Sequence, residues 1–157
     1  MANEAQMKFS STATTVISES AADITSGAVN GGDTELDNST DLYPLATATL
    51  YLPDGWVTTA PVDGETVDLY MVRKDVDGIN NDSDETTTTE PENAEYVGSF
   101  LCTGGAVGVA FRKTITISLA GVKAADFYIE NSTSYSLDYN ATAITVKVHP
   151  FTFAPAV

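Results

Sequence analysis

The chain has 157 residues, of which 43% are hydrophobic, and its 22 acidic and 7 basic side chains give a formal net charge of −15. This length and apolar content indicate one globular domain with a real core and exclude a disordered chain. The charge disfavours nucleic-acid binding, because the phosphate backbone is also negative. Residues 1–95 hold 19 of the acids, whereas residues 96–157 hold three acids and four bases, so the charge is unevenly distributed.

The sequence predicts neither a secretory signal nor a membrane span. The first residues lack a basic region followed by an apolar one, and no apolar run approaches the ~20 residues of a transmembrane helix. Cys102 is the only cysteine, which excludes an internal disulfide and favours a small buried hydrophobe. We therefore expect a protein that folds in a cytoplasm and does not bind a membrane.

Alternating apolar and polar residues predict most of the chain as β-strands. In the run 65–74, Val67, Leu69 and Met71 point one way, which indicates a strand with a buried face. Tyr70 and Val72 are apolar on the other face, so we expect this strand to be central in its sheet. The same pattern predicts strands at residues 14–17, 45–52, 95–102, 114–119, 125–130, 135–139 and 144–149, and a short one at 86–89.

About eight strands separated by turn residues are typical of an all-β fold, an antiparallel sandwich of the jelly-roll type. Residues 14–157 would form this single domain. Residues 1–13 would form an N-terminal arm or a short edge strand. The Ser-, Asp-, Asn- and Gly-rich stretch 18–41 is predicted to be a long loop, either a partner contact or a tolerated insertion.

An acidic loop over residues 75–85 is the place to consider a metal. Its hard oxygen donors suit calcium, and four of them are aspartates: Asp75, Asp77, Asp82 and Asp84. The loop does not match an EF-hand, because the apolar Ile79 takes the fifth place. We interpret it as a solvated hairpin tip without a cofactor, and calcium binding is the alternative.

No catalytic constellation is visible, so we expect no enzyme. His149 is the single histidine, and no neighbouring motif resembles a nucleophile elbow. One His and one Cys are too few for a zinc site. Asn38, Asn131 and Asn140 each begin a glycosylation triplet, which we attribute to chance in a chain rich in Ser and Thr.

The order of several segments resembles a known class of viral protein. Asp-Asn-Ser-Thr-Asp-Leu-Tyr at 37–43 opens into a strand, the run 67–72 precedes the acidic loop, and Tyr-Val-Gly-Ser-Phe at 96–100 follows. Phe-Tyr-Ile-Glu-Asn-Ser-Thr at 127–133 and a terminal β run complete the order. This resembles small virion structural proteins of tailed bacteriophages, in particular jelly-roll head decoration, or cement, proteins.

The resemblance implies a protein on the capsid exterior that binds the major capsid protein and stabilises the capsid lattice. Such a protein would be assembled in the host cytoplasm. Point-group symmetry suits a protein at lattice axes, so we expect a homotrimer at three-fold or quasi-three-fold positions. Such proteins act through extended interfaces, so no small set of functional residues is implied. The apolar residues of the arm suggest that Met7, Lys8 and Phe9 anchor the protein to a neighbour by strand addition.

Two alternatives to a decoration protein stay open. One is a component of a phage fibre or tail, which would have the same β-rich, acidic character. The other is a carbohydrate-binding β-sandwich module that recognises a glycan through Trp56, Tyr51 or Tyr70. Against that module, these aromatic side chains could simply fill the interior of the sandwich.

Overall fold

A computed structural model describes residues 5–74, 94–139 and 142–155. These residues form ten β-strands and contain no helix, so the predicted all-β sandwich is confirmed. The strands are β1 (Ala5–Phe9), β2 (Thr14–Glu19), β3 (Val29–Gly31), β4 (Leu36–Asp37), β5 (Leu45–Leu52), β6 (Thr66–Arg73), β7 (Glu95–Leu101), β8 (Phe111–Ser118), β9 (Ala124–Asn131) and β10 (Ile144–Pro155).

The strands form two antiparallel sheets. The β5 sheet has the order β1-β10-β5-β8, and β2 also pairs with β10. The β6 sheet has the order β3-β9-β6-β7, and β4 also pairs with β9. Eight strands, in the orders β2-β10-β5-β8 and β3-β9-β6-β7, have the arrangement of a jelly roll. β1 and β4 are additions to it.

The core lies between the two sheets, where alternate residues of each strand meet. On β5 the buried residues are Ala46, Ala48, Leu50 and Leu52, each 0% exposed. The other sheet contributes Val67, Leu69 and Met71 of β6, as their spacing predicts. β6 pairs with both β7 and β9, so its predicted central position is also confirmed.

The stretch 18–41 is more ordered than its composition predicts. It includes the end of β2 and two short strands, β3 and β4, which pair with β9. Ile24, Val29 and Leu36 are its buried anchors. Because these apolar residues are widely spaced among polar ones, the sequence has no alternating pattern that would predict β3 and β4. A partner contact in this stretch stays a prediction.

The strand predicted over residues 135–139 is wrong. Leu137 is buried but makes only isolated bridges, to Ile24 and Trp56. The reason lies just before it, where the Thr133 hydroxyl donates to the Tyr135 carbonyl at 2.7 Å. Local bonds of this kind compete with the regular ladder of a sheet, so the chain curls here in spite of its alternating pattern.

The last strand, predicted to end at His149, continues to Pro155. Pro150 is tolerated because the nitrogen and oxygen of a strand residue point to the same side, and the Ser10 N–H donates to the Pro150 carbonyl. The nitrogen of Pro150 therefore faces the link between β1 and β2 and not β5. Its missing N–H removes no hydrogen bond between β10 and β5. The strand predicted at 86–89 lies outside the described residues.

Candidate interaction surfaces

The two sheets differ sharply in charge. The strands of the β5 sheet carry four cations and one acid: Lys8, Arg112, Lys113, Lys147 and Glu19. Those of the β6 sheet carry five acids and one cation: Asp37, Asp68, Glu95, Asp126, Glu130 and Arg73. The fold thus converts the uneven charge of the sequence into one acidic and one weakly basic sheet.

The cations next to the acidic sheet are neutralised by carboxylates. Arg73 pairs with Glu95 at 2.8 Å. The Lys74 ammonium lies 2.7 Å from Glu35 and 3.1 Å from the buried Asp126. Burial lowers the pKa of Lys74, but hydrogen bonds and attraction to the two carboxylates outweigh it and raise the pKa above its ordinary value. These ion pairs neutralise both cations at the end of β6.

The N- and C-terminal strands form a two-stranded ribbon along one edge of the β5 sheet. It comprises β1 and residues 151–155 of β10, and its register places Met7 opposite Phe153 and Phe9 opposite Phe151. Directly opposed residues of antiparallel strands share a face. The four side chains therefore form one apolar face, in which the Phe9 and Phe151 rings lie 5.3 Å apart.

This apolar face of the ribbon is largely open. Met7 is 48% exposed, Phe9 40% and Phe153 55%. Lys8 is opposite Thr152, so it lies on the other face of the ribbon. Of the three residues predicted as an anchor, the structure therefore brings together Met7 and Phe9 and separates Lys8 from them. Whether they form a partner interface stays a prediction, as does the boundary between arm and domain at residue 13.

His149 joins the ribbon to the outer face of the sheet. Its ring lies 4.7 Å from the Phe9 ring, and its Nε2 is 3.0 Å from the Ser10 carbonyl. Because alternate residues of a strand share a face, Lys147, His149 and Phe151 lie on the same side of β10. The structure gives His149 a half-buried packing position at the join of these surfaces.

Beside His149 the outer face of the β5 sheet is hollow, with a volume of about 540 Å³. We call this site the hollow. Three cross-strand rows from β10, β5 and β8 cross this face: His149–Thr47–Thr116, Lys147–Thr49–Thr114 and Thr145–Tyr51–Arg112. All of their residues except Thr114 and Thr116 line the hollow. The Thr49 and Thr114 hydroxyls are 2.9 Å apart. Hydroxyls and cations thus dominate this surface, and none of the described residues that line it is a carboxylate.

Two unpaired cations flank the hollow. Arg112 lies over the Tyr51 ring, 4.8 Å from its centre, in a cation–π contact. Lys147 stands on β10, across the β5 strand from Arg112. Neither of them forms an ion pair with the residues that the structure describes. Both charges are therefore free to meet an anion.

The other predicted site residues have different places. Trp56 is 0% exposed and packs edge-on against Phe111 at 5.1 Å, so it fills the core and cannot contact a glycan at the surface. Tyr70 is half-buried on the β6 sheet, where its hydroxyl donates to Glu130. Of the three predicted aromatic residues, only Tyr51 lines the hollow.

The described residues contain no group of ligands for a metal. The calcium candidates Asp75, Asp77, Asp82 and Asp84 lie outside the described ranges, and within those ranges no group of three or more His, Cys, Asp or Glu could hold a metal. Cys102 is buried, as predicted. Burial raises the pKa of its thiol to about 12, so it is not a thiolate at neutral pH.

The sequence reasoning did not assign Phe151 and Phe153 to the ribbon, or Arg112 and Lys147 to a common site. The signal for the two phenylalanines was present, because Phe151 and Phe153 flank Thr152 in a short alternating run after Pro150. The two cations are far apart in sequence. Only the pairing of β10 and β8 with β5 brings them to one surface.

No protein-family model matches the chain, and no curated protein shows significant sequence similarity to it. Among the described residues no helix has the length and apolar character needed to cross a membrane.

Proposed function

We propose that this protein is a virion structural protein of a tailed bacteriophage, a head decoration protein that stabilises the capsid lattice. The observation that carries the proposal is the ribbon of β1 and β10, which exposes Met7, Phe9 and Phe153 at one edge of the sandwich. The resemblance of the sequence supplies the viral context. The jelly roll is compatible with it, since this fold is common in capsid proteins, although a fold does not by itself define function.

The ribbon offers two ways to bind a neighbour. Its apolar face can pack on another apolar surface, and contiguous exposed apolar residues often mark interaction sites. β1 is also the edge strand of its sheet, so a strand of the partner can add to it by backbone hydrogen bonds. An open apolar edge is an aggregation hazard, and coverage by the major capsid protein would remove that hazard.

The charge distribution supports one orientation on the head. The acidic β6 sheet, with its cations already paired, would face solvent or a basic capsid patch, and the ribbon would face the shell. A homotrimer at three-fold positions remains part of the proposal, because three copies would present three ribbons to symmetry-related capsid subunits. The mechanism is then physical, since each bridge adds buried area between neighbouring capsid proteins.

Charged substitutions on the apolar face of the ribbon test this attachment. Purified protein is mixed with heads that lack it, and the bound fraction is measured after sedimentation. We expect Met7→Asp and Phe153→Asp each to weaken head binding at least tenfold, because a carboxylate would have to be desolvated in the interface. Substitution is preferable to deleting residues 1–13, since the deletion would also uncover the buried Phe151.

Lys8→Asp is the matched control, because Lys8 lies on the same strand with its side chain on the opposite face. Circular dichroism and melting temperature establish that all variants are folded. If Met7→Asp and Phe153→Asp bind heads as tightly as the wild type does, the ribbon is not the attachment surface.

A further inference from the structure

The hollow on the β5 sheet has a composition that attachment to a capsid does not explain. Four threonines line it: Thr47, Thr49, Thr142 and Thr145. Thr114 and Thr116 continue two of its rows on the neighbouring strand β8. Threonine suits a strand because it is β-branched, but each one also offers a hydroxyl that both donates and accepts. The hollow therefore presents several hydroxyl groups and two cations that form no ion pair with the described residues.

We infer that the hollow binds an acidic saccharide, with Arg112 and Lys147 contacting its carboxylate or sulfate groups and the threonines contacting its hydroxyls. This inference does not rest on head attachment, because its evidence is the lining of the hollow and not the apolar residues of the ribbon. It assigns a ligand site to residues that no motif in the sequence connects.

The two cations have the spacing and chemistry for such a ligand. They are separated by two strands and one row. With ~4.8 Å between strands and ~6.8 Å between rows, their Cα atoms are about 12 Å apart. Arg112 presents a planar fork that matches an oxyanion bidentately, and its contact with Tyr51 holds it in place. Anionic groups at two positions of a short saccharide can therefore meet both side chains.

Charge complementarity favours a short anion over a long one. The chain as a whole is strongly negative, at −15, and repels a polyanion that extends beyond the hollow. Within the hollow, however, the cations are close to the ligand, and at physiological salt the distant carboxylates are screened beyond ~8 Å. A nucleic acid is disfavoured for the same reason.

The aromatic groups also favour a saccharide over a nucleobase. One face of the Tyr51 ring is covered by Arg112, and the His149 ring packs against Phe9. Base recognition depends on stacking against open aromatic faces, which this arrangement restricts. Hydroxyl groups of a sugar need only hydrogen-bond partners, and the threonines supply them.

The test is a titration of the full chain with an oligogalacturonate tetramer, a sulfated tetrasaccharide and the neutral cellotetraose, followed by calorimetry and by NMR shifts. We expect at least one acidic saccharide to bind and the neutral one to bind at least tenfold more weakly, with shifts centred on β5, β8 and β10. The two acidic ligands distinguish carboxylate from sulfate recognition. Arg112→Gln and Lys147→Gln should each weaken binding about tenfold, and Thr49→Val severalfold.

Lys123→Gln is the charge-matched control, because Lys123 is exposed in the turn before β9 and not in the hollow. The inference is overturned if neither acidic saccharide binds, or if cellotetraose binds equally well. It is also overturned if Lys123→Gln weakens binding as much as Arg112→Gln does, since that would indicate general charge attraction. Equal binding of a tetraglutamate peptide would replace the saccharide by an acidic peptide.

Discussion

Single buried amides hold the loops of this sandwich in place. Asn131, 0% exposed, donates from Nδ2 to the carbonyls of Ile24 and Tyr135, both at 2.9 Å. Its Oδ1 accepts from the backbone N–H of Thr133 at 3.1 Å and lies 2.7 Å from the Thr133 hydroxyl oxygen. Asn38 does the same for another loop, donating to Tyr43 and Val122. The asparagines of two glycosylation triplets that look accidental in sequence therefore have a structural role, because their side chains hold loops closed.

Replacing Asn131 by Ala should destabilise the protein by about 3 kcal/mol, because buried carbonyls and an N–H lose their partners. Urea unfolding of the purified chain measures this difference. Ser132→Ala is the neighbouring control, since Ser132 is exposed and loses only its hydrogen bond to Asp68, and it should change the free energy of unfolding by no more than about 1 kcal/mol. Equal effects of the two substitutions would show that the amide network does not hold the loop.

These residues also show where sequence reasoning ends. The spacing of Val67, Leu69 and Met71 is a local property, and it predicted a buried strand face correctly. The partners of Asn131 include Ile24, more than a hundred residues away, and no local pattern encodes such a contact. Triplet composition alone could not distinguish a buried amide from an exposed one.

At the scale of elements, one lysine connects three parts of the acidic sheet. Lys74 follows β6, Asp126 is on β9, and Glu35 directly precedes β4. The side chains of Lys74 and Asp126 are 14% and 6% exposed, so water screens their attraction only weakly. The ion pairs thus fix the end of the central strand against its neighbours.

Lys74→Met should lower the free energy of unfolding by about 3 kcal/mol at pH 7, because Asp126 keeps its buried charge and loses this cation. The folded-state pKa of Lys74 is raised, so its contribution is complete below the ordinary value of 10.5 and is lost as pH rises through the raised one. The difference between wild type and variant should therefore be constant from pH 7 to 9 and shrink at higher pH. Chemical unfolding at several pH values measures it, and a difference that grows with alkaline pH would contradict the ion-pair account.

Strand prediction succeeded or failed for physical reasons that differ between elements. β5, β6 and β9 have long alternating runs with a buried face, and the sequence predicts each of them. β3 and β4 are only three and two residues long, and they exist because β9 offers them an edge. The ribbon could be predicted only as an arm or edge strand, since its pairing with β10 joins opposite ends of the chain.

At the scale of the whole molecule, the two sheets have different roles in the function that we propose. The acidic β6 sheet has its cations in ion pairs and provides solubility. The β5 sheet carries the ribbon at one edge and the hollow on its outer face, joined at His149. The resemblance to decoration proteins and the geometry of the ribbon together support a role in assembly, and the hollow adds a separate capacity to bind a ligand.

The copy number of this protein in purified phage particles tests the assembly role most directly. Quantitative mass spectrometry would compare it with the major capsid protein of the same particles. We predict a ratio near one to one or near a simple lattice fraction such as one to three. A few copies per particle would indicate a fibre or tail component instead, and absence from the particles would contradict the proposal of a virion protein.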